Sequence, residues 1–126
     1  MKEGVIQPTY DFPVKRYVKT MSLKNDPDLL TLYRYYHSPE GSWPEIRQGI
    51  REVGILEMDI YIEGNILFMI VVAPADLDMD AAMTRLATLP RQSEWEAHVA
   101  KCQQCNEDDT SDEKWKLMER IFYLYS

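Results

Sequence analysis

The sequence predicts an α+β domain whose strands and helices follow the order β-α-β-β-α-β. Three observations carry that prediction. Residues 14–23 alternate and are rich in β-branched and aromatic side chains, the pattern of a strand. Residues 66–73 form an unbroken apolar run entered through the tight turn Glu63-Gly64-Asn65, which marks a hairpin. Helix signals of 3.6-residue period fill the two long gaps on either side of that hairpin.

Taken in order, residues 1–13 are polar and proline-marked and read as an N-terminal arm, leaving residues 14–126 as a single domain. After the first strand, Asn25-Asp26-Pro27 starts a helix, with a cap residue followed by proline at the first helical position. That helix runs to about Tyr36 and breaks at Ser38-Pro39-Glu40-Gly41-Ser42, because a proline disfavours helical geometry in the residue before it. A second helical piece opens at Trp43-Pro44-Glu45, with Ser42 read as cap and Glu45 as the reciprocal member of a capping box, and ends at Gly54. Residues 55–62 place Met58, Ile60 and Ile62 on one face of a strand and Glu57, Asp59 and Tyr61 on the other. The run 66–73 reads as a central strand buried on both faces. Residues 79–89 make an amphipathic helix with Met79, Ala82, Met83 and Leu86 inward, and Pro90 breaks it. A further helix spans about 92–103, a polar loop 104–113, and a last strand 119–125. The order is that of the ferredoxin-like split βαβ arrangement, a four-stranded antiparallel sheet with helices on one face. Its bare face needs cover, and a second copy of the chain supplies it most simply, so a homodimer of the dimeric α/β-barrel type is expected.

Composition narrows the function classes. The chain has 126 residues, 45% hydrophobic and 28% charged, which suits one globular domain. A net charge of −7 argues against nucleic acid as a partner. No apolar run approaches the ~20 residues of a membrane helix, and no apolar stretch of signal-peptide type opens the chain, so no membrane partner and a cytoplasmic location are expected. Cys102 and Cys105 make one C-x-x-C; with no second pair it reads as reduced thiols rather than a zinc site, although His98 four residues before Cys102 leaves a three-ligand site conceivable. The expectation is no metal and no cofactor. No phosphate loop, dinucleotide fingerprint or serine elbow is present.

The chemistry-bearing stretch is Tyr33-Arg34-Tyr35-Tyr36-His37. On a helix Tyr33, Tyr36 and His37 share one face, so the imidazole sits at a helix end amid aromatic carbon and hydroxyls. A histidine there is suited to moving a proton near neutral pH. Trp95 and Trp115 read either as core or as surfaces on which a sugar stacks.

Tyr33-x-x-x-His37, Trp43-Pro44-Glu45, Gly54, Asp59-Ile60-Tyr61-Ile62, Leu67-Phe68, Trp95 and Ile121-Phe122-Tyr123-Leu124 form an ordered set. Across about residues 14–125 that set resembles the L-rhamnose mutarotase family. Asp76-Leu77-Asp78, the segment from Pro90 to Glu96 and the segment from Trp115 to Glu119 resemble a branch of that family linked to L-fucose. The resemblance implies a homodimeric, cofactor-free isomerase. It would interconvert the α and β anomers of a 6-deoxy-L-hexose, L-rhamnose or L-fucose, by acid/base ring opening and closure. It implies His37 as the acid/base group and Tyr33 as a sugar contact. A strand tyrosine of the rhamnose enzymes falls on Met58, and their tryptophan pair falls on Trp95 and Glu96, with Trp115 offering replacement aromatic surface. The loop between His37 and Trp43 is two residues longer than in the rhamnose pattern. The rival readings are a non-catalytic dimeric sugar-binding module and a cofactor-free monooxygenase of the same fold.

Overall fold

The computed structural model describes residues 3–106 and 109–125. Its elements are β1 (Val14–Ser22), α1 (Pro27–Tyr36), α2 (Pro44–Glu52), β2 (Glu57–Glu63), β3 (Ile66–Pro74), α3 (Met79–Leu86), α4 (Gln92–Ala100), α5 (Ser111–Lys114) and β4 (Lys116–Leu117). The strands form one antiparallel sheet in the order β2-β3-β1-β4, as the split βαβ arrangement requires. Each crossover carries a pair of helices, α1 with α2 and α3 with α4, because Pro39 and Pro90 interrupt the helical pattern.

Register decides which side chains meet the helices. Tyr17, Lys19 and Met21 of β1 stand opposite Val71, Met69 and Leu67 of β3, and these in turn oppose Met58, Ile60 and Ile62 of β2. That face packs on Tyr33, Ile46, Val53, Met83, Leu86, Trp95 and Val99 to make the core. The opposite face presents Val18, Thr20, Phe68, Ile70 and Tyr61 and carries no helix.

The chain enters α1 as the sequence implies. Asp26 caps the helix through Oδ1, which accepts from the backbone N–H of Asp28 and of Leu29, and Pro27 holds the first position. Gly54 takes φ +103° after α2 and Gly64 takes φ +61° in the hairpin turn, both in the region that favours glycine.

Four expectations are corrected. Trp43, not Ser42, is the cap of α2, and no side-chain capping bond forms there; the Ser42 hydroxyl accepts from the Arg47 guanidinium instead. The stretch 119–125 is no strand: β4 comprises Lys116–Leu117 alone, paired with Thr20 and Lys19. The loop read over 104–113 contains α5, started by a capping box between Thr110 and Glu113; residues 107 and 108 lie outside the described residues. Finally, β3 is central, yet its residues Phe68 and Ile70 on the face away from the helices are only half-buried.

The loop after α1 is held by close backbone contact. Ser38 Oγ donates to the Tyr35 carbonyl at 2.6 Å and accepts from the Gly41 N–H at 3.1 Å. A Cβ at Gly41 would lie 2.1 Å from the Tyr35 carbonyl oxygen, so any side chain there forces the loop away. Gly41→Ala is therefore expected to destabilise the protein by about 1–3 kcal/mol. Urea unfolding at wild-type midpoint and slope would refute that packing.

Candidate active site

Between the sheet and the helices lies a cavity of about 640 Å³, within the ~300–1,000 Å³ span usual for small-molecule sites. All six residues singled out in the sequence line it: Tyr33, His37, Met58, Trp95, Glu96 and Trp115. Arg47, Gln92 and Gln103, which sequence reasoning did not single out for the site, line it as well, as does Trp43, read earlier only as a helix start. Gln92 was open to detection, standing four residues before Glu96 on the same helix. Gln103 was not: it reaches the cavity from a turn bridged to Leu23.

His37 is the C-cap residue of α1. The carbonyl of Tyr33 belongs to the last turn of that helix, where carbonyls lack helical partners, and the imidazole supplies one. Nδ1 lies 2.9 Å from this oxygen. A carbonyl only accepts, so the Nδ1 site must carry the proton, which leaves the Nε2 lone pair free. Burial lowers the His37 pKa below its ordinary value of 6.5; the Tyr33 carbonyl opposes that shift and the charge of Arg47 adds to it. The ring is thus a neutral base at neutral pH.

Aromatic rings fix its orientation. Tyr33 lies 4.3 Å from His37 between ring centroids, and Trp95 meets the imidazole edge-on at 5.4 Å. Trp43 packs edge-on against Trp95 at 5.2 Å and stacks on His98 at 4.9 Å. The Arg91 guanidinium lies 3.9 Å above the Trp43 ring, from a residue in the left-handed region at φ 65°. His98 is thereby occupied as an aromatic packing residue beside Tyr36 and Trp43, and Cys102 is fully buried. Among the described residues no group of three or more His, Cys, Asp or Glu is placed to hold a metal ion.

Tyr33 is buried, and Gln103 Nε2 donates to its hydroxyl oxygen at 3.5 Å. Burial pushes the phenol well above its ordinary pKa, with the Gln103 hydrogen bond opposing the rise, so the group keeps its proton. Because Gln103 fills an acceptor position, the Tyr33 O–H remains available to donate.

Glu96 holds a buried ion pair. Lys114, wholly inaccessible in its side chain, approaches Glu96 Oε1 at 3.2 Å and donates to the Glu96 backbone carbonyl at 2.8 Å. Gln92 Nε2 donates to Oε2 at 3.3 Å. Burial raises the Glu96 pKa, and the charge of Lys114 is the main opposing influence. Met58 contributes only apolar surface on the sheet side, together with Ile60 and Met69.

Fold and cavity define a class of protein: a small α+β domain with a cavity for a small molecule, lined by a neutral imidazole and a protonated phenol. The family model for L-rhamnose mutarotase matches residues 16–124. An L-fucose mutarotase of Xanthomonas campestris is 32% identical over 111 residues, covering 88% of this chain and 89% of its own length. A Dictyostelium discoideum protein whose name states no activity is 31% identical over 114 residues, with 87% and 90% covered. Among solved structures, an L-rhamnose mutarotase of Formosa agariphila superposes with a TM-score of 0.65 at 24% identity, covering 87% of this chain and 98% of that one. The chain belongs to the L-rhamnose mutarotase family.

Removing Lys114 leaves Glu96 without its buried counter-charge. Lys114→Met is expected to cost about 3–5 kcal/mol, read as a large fall in thermal midpoint. Unfolding at the wild-type temperature would show that the pair contributes no such coupling.

Proposed function

We propose that this protein is a mutarotase that interconverts the α and β anomers of a 6-deoxy-L-hexose, with His37 as its acid/base residue. The observation that carries the reading is the hydrogen bond from His37 to the Tyr33 carbonyl, which leaves Nε2 unprotonated on a residue lining a cavity with room for a monosaccharide. The family membership and the L-fucose mutarotase relative supply the substrate class.

The chemistry follows from these groups. Nε2 takes the proton of the anomeric hydroxyl, C1 becomes a carbonyl carbon, and the bond from C1 to the ring oxygen breaks. The ring oxygen takes a proton from a neighbouring donor, and the Tyr33 hydroxyl, kept protonated by burial and left free to donate by Gln103, hydrogen-bonds the sugar as the bond breaks. Rotation about C1–C2 and reclosure on the other face return both protons. Trp95 and Trp115 offer apolar surface for the sugar's C6 methyl and ring carbons, Met58 closes the sheet side, and Glu96 accepts hydroxyl hydrogen bonds.

We further propose a cytoplasmic homodimer, with residues 14–126 as its single domain and residues 1–13 as an arm. Support for dimerisation comes from the uncovered sheet face and from the end of the chain. There Ile121, Phe122, Leu124 and Tyr125 are 90%, 75%, 70% and 83% exposed, an apolar surface that a second copy would cover. No helix among the described residues is long and apolar enough to cross a membrane, and both cysteines are free.

Anomeric-proton exchange NMR tests the activity. Exchange cross-peaks of L-fucose or L-rhamnose should intensify with the protein, and His37→Ala should lose about 10²–10⁴-fold in rate while keeping its fold. Near-wild-type exchange in that variant would remove His37 from the mechanism. The pH profile supplies a second check. Since burial lowers the His37 pKa, the active base form persists as pH falls through 6.5, and the acid limb of kcat/KM should lie below that value. An acid limb above 6.5 would contradict the assignment. Static light scattering should give a dimer for the full chain and a smaller mass after deletion of residues 119–126; a monomeric full chain would overturn the dimer.

A further inference from the structure

The Glu96–Lys114 pair is unusual in its position. Buried ion pairs seldom add stability over well-packed apolar residues, because the desolvation of both charges offsets their attraction. The glutamate of this pair nevertheless lines the cavity, with a side chain 12% exposed, while the lysine that holds it lies behind the wall with a side chain 0% exposed. Two elements are built to hold it. Gln92 and Glu96 stand one turn apart on α4, and Lys114 ends the short helix α5, whose start is fixed by the Thr110–Glu113 capping box.

The two carboxylate oxygens are held separately. Oε1 faces Lys114 and Oε2 faces Gln92. An ionised carboxylate accepts about four hydrogen bonds, so each oxygen keeps capacity beyond the partner it has. Glu96 and Gln92 also line a second cavity of about 650 Å³, which shares Leu86 and Ser111 with the first. The sheet-side wall of the first cavity is apolar at Met58, Ile60 and Met69. A pyranose held there therefore meets a buried anionic acceptor on one side and hydrocarbon on another.

We propose that Glu96 is the specificity-determining residue of this site and Lys114 its positioning residue. The carboxylate, held at one oxygen by Lys114 and at the other by Gln92, accepts hydrogen bonds from two adjacent hydroxyls of the sugar. Two acceptors at fixed spacing match one arrangement of neighbouring hydroxyls better than another. L-Fucose and L-rhamnose differ in hydroxyl orientation at C2 and C4, so a fixed pair of acceptors separates them where stacking on the C6 methyl does not. This inference rests on the mutarotase reading above and deepens it.

Exchange NMR on both sugars tests it, with KM and kcat measured for wild type, Glu96→Gln, Lys114→Met and Lys114→Arg, and binding followed by saturation-transfer NMR. Wild type should prefer one sugar. Glu96→Gln should raise the KM of that sugar at least about tenfold, the scale of a hydrogen bond to a charged group, should affect KM more than kcat, and should compress the kcat/KM ratio between the sugars. Lys114→Met should compress the same ratio. If that variant does not fold, Lys114→Arg keeps the charge, alters the geometry of the contact and should move the ratio in the same direction. Wild-type indifference to the two sugars, or a ratio unmoved by Glu96→Gln, overturns the specificity role. A ratio unmoved in the folded Lys114 variants overturns the positioning role. Wild type that exchanges neither sugar overturns the mutarotase reading, and if it also binds neither, this proposal falls with it.

Discussion

A four-stranded sheet covered by helices on one face faces two burial problems, and most of this structure answers one or the other. On the covered face the helices stand off the sheet far enough to leave a cavity between Met58, Ile60 and Met69 below and the aromatic residues of α1 and α4 above. On the bare face Val18, Phe68, Ile70 and Tyr61 remain partly open. The split βαβ connection enforces both outcomes, since right-handed crossovers from β1 to β2 and from β3 to β4 put every helix on the same side. The cavity and the apolar bare face are thus consequences of one topology.

Within that frame, the end of α1 converts backbone geometry into chemistry. A helix must leave its last carbonyls without helical partners. Here one of them, that of Tyr33, is satisfied by a side chain rather than by the following loop, and the side chain is an imidazole. Satisfying the carbonyl and selecting the tautomer are then the same event. Desolvation keeps the ring neutral, and the tilted Tyr33 ring and edge-on Trp95 pack against it. The Ser38–Gly41 loop turns the chain away immediately afterwards, through contacts too close for any side chain at Gly41.

Much of this was legible in the sequence because the signals are local. Asp26-Pro27, Gly54, Gly64 and the alternation through β1 and β2 each act within a few residues, and each placed its element within two residues of the observed boundary at those points. The spacing of Tyr33, Tyr36 and His37 likewise held, because it depends only on helical geometry. What was not legible depends on partners distant in sequence. Ser42 was read as a cap, yet its hydroxyl pairs with Arg47 and the cap falls one residue later. Residues 119–125 have the composition of a strand, but a strand needs a neighbouring edge, and the pairing with β1 among the described residues runs through Lys116 and Leu117 and ends with the Met118 N–H on the Val18 carbonyl. Lys114 carried no signal at all: a lysine in an acidic, polar stretch looks solvated, and only the fold brings it 18 residues back to Glu96.

The contrast between the two titratable sites explains why so light a constellation suits the proposed reaction. Mutarotation already proceeds in water, so a protein needs to supply a positioned base and donor rather than a strong electrophile, and such groups contribute about 10²–10⁴-fold. A histidine with a lowered pKa and a tyrosine with a raised one give that combination: near neutral pH the first is unprotonated and the second protonated, each in the state its role requires. Neither carries a charge, although Arg47 lines the same cavity and its charge helps to lower the His37 pKa. Among the charged residues of the cavity wall, which include Arg47, Arg51, Glu57 and Asp59, Glu96 is held in a buried ion pair with Lys114. In the proposed reading, proton transfer belongs to His37 and Tyr33 of the α1 side and hydroxyl recognition to Glu96 on α4. On that reading a substitution at Glu96 alters which sugar is held and leaves in place the groups proposed to open its ring.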